Sequence, residues 1–155
     1  MGNISHNIFN SEERSCWFKV VHDIHPTKDR LMSINKSVTE NCESCGNVDT
    51  ILHRITVCQG KKSMWHLLRK MLAVCLQKPE DRLTPDIVIQ PDLKVKGKNT
   101  LLAMWLVGVT VNVIIGEVIE SLERYKIGVI NRFNKVTCKW FEKITMNKIL
   151  KLLLA

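Results

Sequence analysis

Three of the six cysteines and one of the five histidines lie within one short window, spaced Cys42-x2-Cys45-x7-His53-x4-Cys58. Three thiolates and one imidazole are a common donor set of structural zinc sites, which are tetrahedral. A two-residue gap lets a tight turn bring Cys42 and Cys45 to one metal, and Gly46 can take the positive φ that such a turn needs. Zinc sites of this kind contribute about 10–16 kcal/mol in small peptides. The window therefore predicts a zinc site that orders a segment with little core of its own.

Two other interpretations of these residues stay open. The cysteines could be free thiols on a loop beside a surface imidazole, or Cys42 and Cys45 could form a redox pair. The four-ligand spacing favours a metal, and the absence of a βαβ pattern disfavours a thioredoxin-like pair. Because the first residues lack a basic segment followed by an apolar one, we expect an intracellular chain, nuclear or cytoplasmic, with reduced cysteines.

Most of the chain is predicted to be α-helical, with a small CCHC zinc knuckle inserted between helices. We expect a disordered segment at 1–10, helices plus knuckle at 11–77 (the knuckle at 41–59), a connector at 78–98 and a helical segment at 99–155. The prolines and charges of 78–98 are typical of a connector, with a brief extended piece at 87–89.

Helix boundaries follow from caps and apolar spacing. A helix is predicted to start at Ser11 and to end before Pro26, and a short one to follow at 27–34. The segment 61–77 carries one apolar stripe, which comprises Met64, Trp65, Leu68, Met71, Leu72 and Cys75. Two more helices are predicted, at 99–125 and from Gly128 to the end. The remaining cysteines, Cys16 and Cys138, lie among apolar residues and are predicted to be packed thiols, as is Cys75.

The formal charge of +8 points to an anionic partner, either nucleic acid or a membrane surface. Two basic groups are candidates for phosphate contacts. The knuckle loop would present Arg54, Lys61 and Lys62. The last helix would present Arg132, Lys135, Lys139, Lys143 and Lys151. A basic amphipathic helix can also lie on anionic lipid or bind an acidic partner, and a solvated face over a core stripe is the simplest alternative.

The segment Thr100–Gly116 carries no charge. It falls just short of the roughly 20 residues that span a bilayer, so a core helix is favoured over a membrane span. It could also form an exposed apolar face where a partner domain docks.

One further pattern contains two carboxylates and a lysine: Asp86, Asp92 and Lys94. Some nucleases place such groups around Mg²⁺, where they hold the metal and activate water. That site needs two adjacent strands, and one brief extended run is visible here, so a solvated connector is favoured.

The segment from Trp17 to Trp65 resembles the zinc-binding region at the carboxyl end of non-LTR (LINE-type) retrotransposon reverse transcriptases. The residues that carry the resemblance are Trp17, His25-Pro26-Thr27, Arg30-Leu31, Cys42-x2-Cys45-Gly46, Asp49-Thr50, His53, Cys58 and Trp65. They cover about a third of the chain, and LLAMWLVG at 101–108 matches more weakly. The resemblance implies zinc at the four predicted ligands and a role in binding the element's nucleic acid.

The polymerase of that family needs an aromatic-x-Asp-Asp metal site, whereas the only tyrosine, Tyr125, is followed by Lys-Ile-Gly. We therefore expect a non-catalytic carboxyl-terminal fragment, or a host copy of one, that binds RNA or single-stranded DNA with weak sequence preference. Domains of a parent polyprotein are further candidate partners. The alternatives are a membrane-surface or protein-interaction module that uses Thr100–Gly116 and the basic helix, or a relic without a selected function.

Overall fold

The computed structural model describes residues 8–22, 24–35, 39–59, 61–87, 94–117, 119, 121–135 and 140–155. Helices make up 69% of the described residues, which contain no strand. The described residues contain six α-helices: α1 (Ser11–Val21), α2 (Lys28–Ser33), α3 (Lys62–Leu76), α4 (Lys98–Val111), α5 (Leu122–Lys135) and α6 (Lys143–Leu154). Between them lie π turns at His53–Val57 and Asn112–Gly116 and 3-10 turns at Glu80–Arg82 and Pro85–Ile87. The prediction of a mostly α fold is confirmed.

The core is built around α4, whose side chains from Leu101 to Val111 are all buried. Helix α3 packs along α4 and also against α6, while α1 packs against α4 and the second π turn. Every residue of the apolar stripe predicted for α3 is buried. A helix that is apolar on all sides has to be surrounded, and α1, α3 and α5 surround this one.

The continuous helix Lys98–Gly116 is long and apolar enough to cross a membrane, judged by length and composition alone. Within the fold, 83% of its most apolar window is buried. This is the pattern expected of a core helix, which is the interpretation that the sequence favours.

The amino-terminal end of the fold is more ordered than predicted. Ile8 and Phe9 are buried, and the Phe9 ring meets the Trp17 ring edge-on with centroids 5.5 Å apart. Asn10, rather than Ser11, caps α1, because its side chain accepts from the Glu13 N–H while the Glu13 carboxylate accepts from the Asn10 N–H. The predicted disorder is thus wrong for residues 8–10, since two apolar side chains find room in the core; residues 1–7 lie outside the described part.

The carboxyl-terminal helices also differ from the prediction. The helix expected at 99–125 ends at Gly116, and α5 starts afresh where the Ser121 hydroxyl accepts from the Arg124 N–H. Gly128, predicted to start the last helix, lies inside α5. A Cβ there would be 3.3 Å from a Val113 methyl, so this glycine allows a close approach. Phe141 lies before α6 and is buried against Trp105, at 5.7 Å between ring centroids.

Candidate metal centre

Cys42 and Cys45 lie on a tight turn closed by backbone hydrogen bonds. An isolated antiparallel bridge joins Asn41 to Val48. Inside it the Cys42 N–H donates to the Asn47 carbonyl at 2.7 Å, and the Gly46 N–H donates to the Cys42 carbonyl at 2.9 Å. Gly46 has φ +79°, the left-handed region that the sequence predicted for this position. The turn therefore brings two thiols from neighbouring positions to one side of the chain.

His53 and Cys58 are supplied by the first π turn. The Cys58 N–H donates to the His53 carbonyl at 2.9 Å, so one wide helical turn separates the two ligands. The Thr50 hydroxyl accepts from the His53 N–H at 3.1 Å and holds the start of this turn. The four-residue gap that the sequence shows thus corresponds to a single π turn.

The four side chains converge, and their donor atoms all lie within 4.8 Å of one another. Cys45 Sγ lies 3.2 Å from His53 Nε2, and Cys42 Sγ lies 4.0 Å from Cys58 Sγ. A tetrahedral zinc site with Zn–S bonds of about 2.3 Å has edges of about 3.8 Å. The cluster has the size and the donor chemistry to hold one metal ion, and the convergence of the four predicted residues is shown.

The environment of Cys42 favours the thiolate, which is the form that binds a metal. Burial raises the pKa of Cys42. Hydrogen bonds from His53 and from the backbone N–H groups of Ser44 and Cys45 outweigh burial and lower this pKa to about 6. Two backbone N–H groups directed at one sulfur follow from the tight turn itself, so the turn positions the ligand and also stabilises its charge.

Asp49 ties the centre to the rest of the fold, although it is absent from the predicted site residues. Its carboxylate accepts from Arg54 Nε at 2.8 Å, from Arg54 Nη2 at 2.6 Å and from the Lys28 N–H at the start of α2 at 2.8 Å. Burial raises the pKa of Asp49, but the hydrogen bonds from Arg54 and Lys28 outweigh it and leave this pKa below its usual value. The Asp49-Thr50 pair within the resemblance was the available sequence signal.

The centre is seated on the end of the central helix. Ile114 and Ile115, from the second π turn, line a cavity of about 230 Å³ together with the ligands Cys42, His53 and Cys58. His53 and Cys58 are buried, while Cys42 and Cys45 are partly exposed. The metal ligands therefore close one end of the hydrophobic core.

The predicted phosphate contacts divide into two groups. The guanidinium groups of Arg54 and Arg132 are both held by buried carboxylates; Arg132 contacts Glu13 through Nε at 2.5 Å and Nη2 at 2.6 Å. Both arginines are thus engaged in internal ion pairs, because each faces a carboxylate that would otherwise be buried without an opposite charge beside it. Lys62, Lys135 and Lys143 are exposed and Lys61 is half-buried, whereas Lys139 lies outside the described residues.

The other candidate groups are not assembled in the described part of the chain. Asp86 lies in a 3-10 turn and Lys94 is exposed, while Asp92 is outside the described residues. Ile87 belongs to that same turn, so it is not in the extended piece that was predicted. Cys16 and Cys75 are buried thiols as predicted, and burial raises the pKa of Cys75 to about 12. Cys138 lies outside the described part.

Comparison of the chain with models of protein families, with curated proteins and with solved structures finds no match.

Proposed function

We propose that the chain binds one Zn²⁺ through Cys42, Cys45, His53 and Cys58 as a small knuckle inserted in a helical domain, and that the zinc-loaded form binds single-stranded nucleic acid. The observation that carries the proposal is the convergence of four donor atoms within 4.8 Å. Three sulfurs and one imidazole are soft or borderline donors, which select zinc over calcium or magnesium.

The proposed binding is non-catalytic and electrostatic. The formal charge of +8 supports an anionic partner. Trp65, the one aromatic candidate for base stacking near the knuckle, is 5% exposed and belongs to the core. Without a stacking platform there, affinity would come from phosphates, with little base preference and a steep dependence on salt. The resemblance to the carboxyl-terminal region of non-LTR retrotransposon reverse transcriptases supports RNA or single-stranded DNA as the partner.

Zinc content of the purified chain, measured by native mass spectrometry before and after a chelator, tests the metal. We expect one zinc per chain, lost in Cys45→Ser. Cys75→Ala is the matched control, because it removes a buried cysteine outside the cluster and should keep the metal. No zinc in the wild-type chain would overturn the metal site.

Fluorescence anisotropy with a labelled single-stranded RNA tests the second half of the proposal. The zinc-loaded chain should bind at low salt, and affinity should fall linearly on a logarithmic plot against salt concentration. Absence of binding with zinc loaded would refute the nucleic-acid function and leave the metal site standing.

A membrane surface is the second candidate, favoured by one observation on α6. Ile144 and Leu154 are each 73% exposed, beside the exposed Lys148 and Lys151. Exposed aliphatic and basic side chains on one helix suit the boundary of an anionic bilayer. Flotation with anionic vesicles separates this candidate from nucleic-acid binding.

A further inference from the structure

We infer that the phosphate-binding surface is the outer face of α3 together with the adjacent lysines of α6, and that the backbone of a single-stranded nucleic acid lies along it. This inference rests on the proposed function and names the surface that performs it. The residues are Lys62, His66 and Lys70 on α3 and Lys143, Lys148 and Lys151 on α6. This surface replaces Arg54 and Arg132, the two arginines that the sequence predicted as phosphate contacts.

The charged side chains of α3 and α6 are all basic. Neither Lys62–Leu76 nor Lys143–Leu154 contains an acidic residue, whereas α1, α2 and α5 each contain both signs. The two helices pack directly against each other. Cations on helices that contain no acidic residue attract a polyanion, whereas mixed charges largely cancel.

The basic side chains differ in whether a group within the fold already holds them. Arg54 and Arg132 are occupied by Asp49 and Glu13, and the Arg69 guanidinium donates to the Glu80 carbonyl at 2.8 Å. Lys62 and Lys70 remain exposed on the same helix. Exposed lysine side chains remain free to change rotamer and can adapt to a flexible nucleic-acid backbone. Lys62 and Lys70 are therefore the groups on α3 that can bind phosphates.

The exposed basic residues of α3 are regularly spaced. Lys62, His66 and Lys70 recur every four residues and are all exposed, so they form one row on the solvent face. Each step along the row advances about 6 Å along the helix axis. A row of this kind follows an extended strand over several phosphates.

The composition of the exposed face of α3 favours nucleic acid over lipid. The structure describes all of Lys62–Leu76, and none of its large apolar side chains is exposed. A helix that lies in a membrane interface needs apolar side chains on the face that it presents. The exposed face of α3 lacks them, although α6 has two.

The metal centre sets the position of this row. The Lys61 N–H donates to the carbonyl of the ligand Cys58 at 2.8 Å, and the Met64 N–H donates to the Lys61 carbonyl at 3.1 Å. The first turn of α3 is therefore joined directly to the last metal ligand. Zinc would act on nucleic-acid binding by fixing the start of α3.

The test compares two double variants that remove the same charge. Lys62→Gln/Lys70→Gln removes two cations of the row, and Arg14→Gln/Lys19→Gln removes two from α1, which packs against α4 and the second π turn. A single-strand phosphate contact with a salt slope of about 0.7 contributes about eightfold at 50 mM salt relative to 1 M. We therefore expect the row variant to bind labelled RNA about 60-fold more weakly at 50 mM salt, with a slope smaller by about 1.4.

The control variant should bind within about threefold of wild type, because its two cations lie outside the row, on a helix that also carries carboxylates. Both variants should retain one zinc and the wild-type circular dichroism spectrum. Equal losses in the two variants, with zinc retained, would overturn the surface but not the function. Absence of RNA binding by the zinc-loaded wild type would overturn both. Row-dependent binding to phosphatidylserine vesicles without RNA binding would also overturn the inference, in favour of lipid.

Discussion

Replacing Arg132 with methionine tests whether this residue stabilises the fold or binds nucleic acid. The Glu13 side chain is 0% exposed and that of Arg132 is 18% exposed, and the pair joins α1 to α5. The change keeps an apolar stem at position 132 but leaves the Glu13 carboxylate buried, with the Asn10 N–H as a remaining donor. Removing one partner of a buried ion pair costs about 3–5 kcal/mol. Because Arg132 is partly exposed, we expect a loss near the lower limit, about 3 kcal/mol.

Urea unfolding of the zinc-loaded chain, followed by circular dichroism, measures this loss. The double change Glu13→Gln/Arg132→Met should recover about half of it, since the buried charge is then gone and the glutamine oxygen can still accept from Asn10. Glu12→Gln is the matched control: this neighbouring residue is exposed, and its change should stay within about 0.5 kcal/mol.

The nucleic-acid assay gives the second readout for the same variants. If Arg132 is occupied by Glu13, then Arg132→Met should weaken RNA binding by less than about twofold once the protein is folded and zinc-loaded. A variant with wild-type stability but a tenfold loss of RNA affinity would refute the reasoning and restore Arg132 as a phosphate ligand.

Three more changes test the centre and its support. Gly46→Ala forces a side chain into φ +79° and should destabilise the turn by about 1–2 kcal/mol. Chelator competition should then show zinc affinity lower by about five- to thirtyfold. Gly97→Ala, in extended backbone, is the control and should leave zinc affinity unchanged. Gly108→Ala places a Cβ 2.5 Å from the Phe9 ring; it should lower the free energy of unfolding by about 1–3 kcal/mol, and Phe9→Leu should relieve part of that loss if the ring is the obstacle. Asp49 has a lowered pKa in the fold, so its stabilisation is complete above its unfolded pKa of about 3.9 and is lost as pH falls through the lower folded pKa. The difference in unfolding free energy between wild type and Asp49→Asn should accordingly be constant above about pH 5 and shrink below about pH 4, and a difference that grows on acidification would contradict the ion pair.

Spacing along the chain was sufficient to predict the four metal ligands and the buried face of α3. Cys42 and Cys45 share a turn of fixed geometry, and His53 and Cys58 share one helical turn, so neighbours along the chain dictate most of the centre. The stripe on α3 follows from helical periodicity in the same way. These features involve short separations, where the backbone leaves few alternatives.

Helix ends were harder to predict, because apolar periodicity continues across a break when both pieces pack on one core. Apolar residues recur after Gly116, as at Ile119 and Leu122, but the chain leaves the helix there and α5 begins after Ser121. The sequence predicted Gly128 as the start of the last helix, but this residue lies within α5 and allows a close approach to Val113.

By itself, the sequence determined which residues can hold a metal, that the chain is mainly helical, and that it carries excess positive charge. Tertiary structure alone decided which of the positive charges remain available to a partner. Glu13 and Arg132 are 119 positions apart, and no local sequence pattern predicts their ion pair. The physical reason is that a buried carboxylate is stable only beside an opposite charge, which can come from any element that packs against it. In the fold the two arginines are thus held in internal ion pairs, while the lysines of α3 and α6 remain exposed.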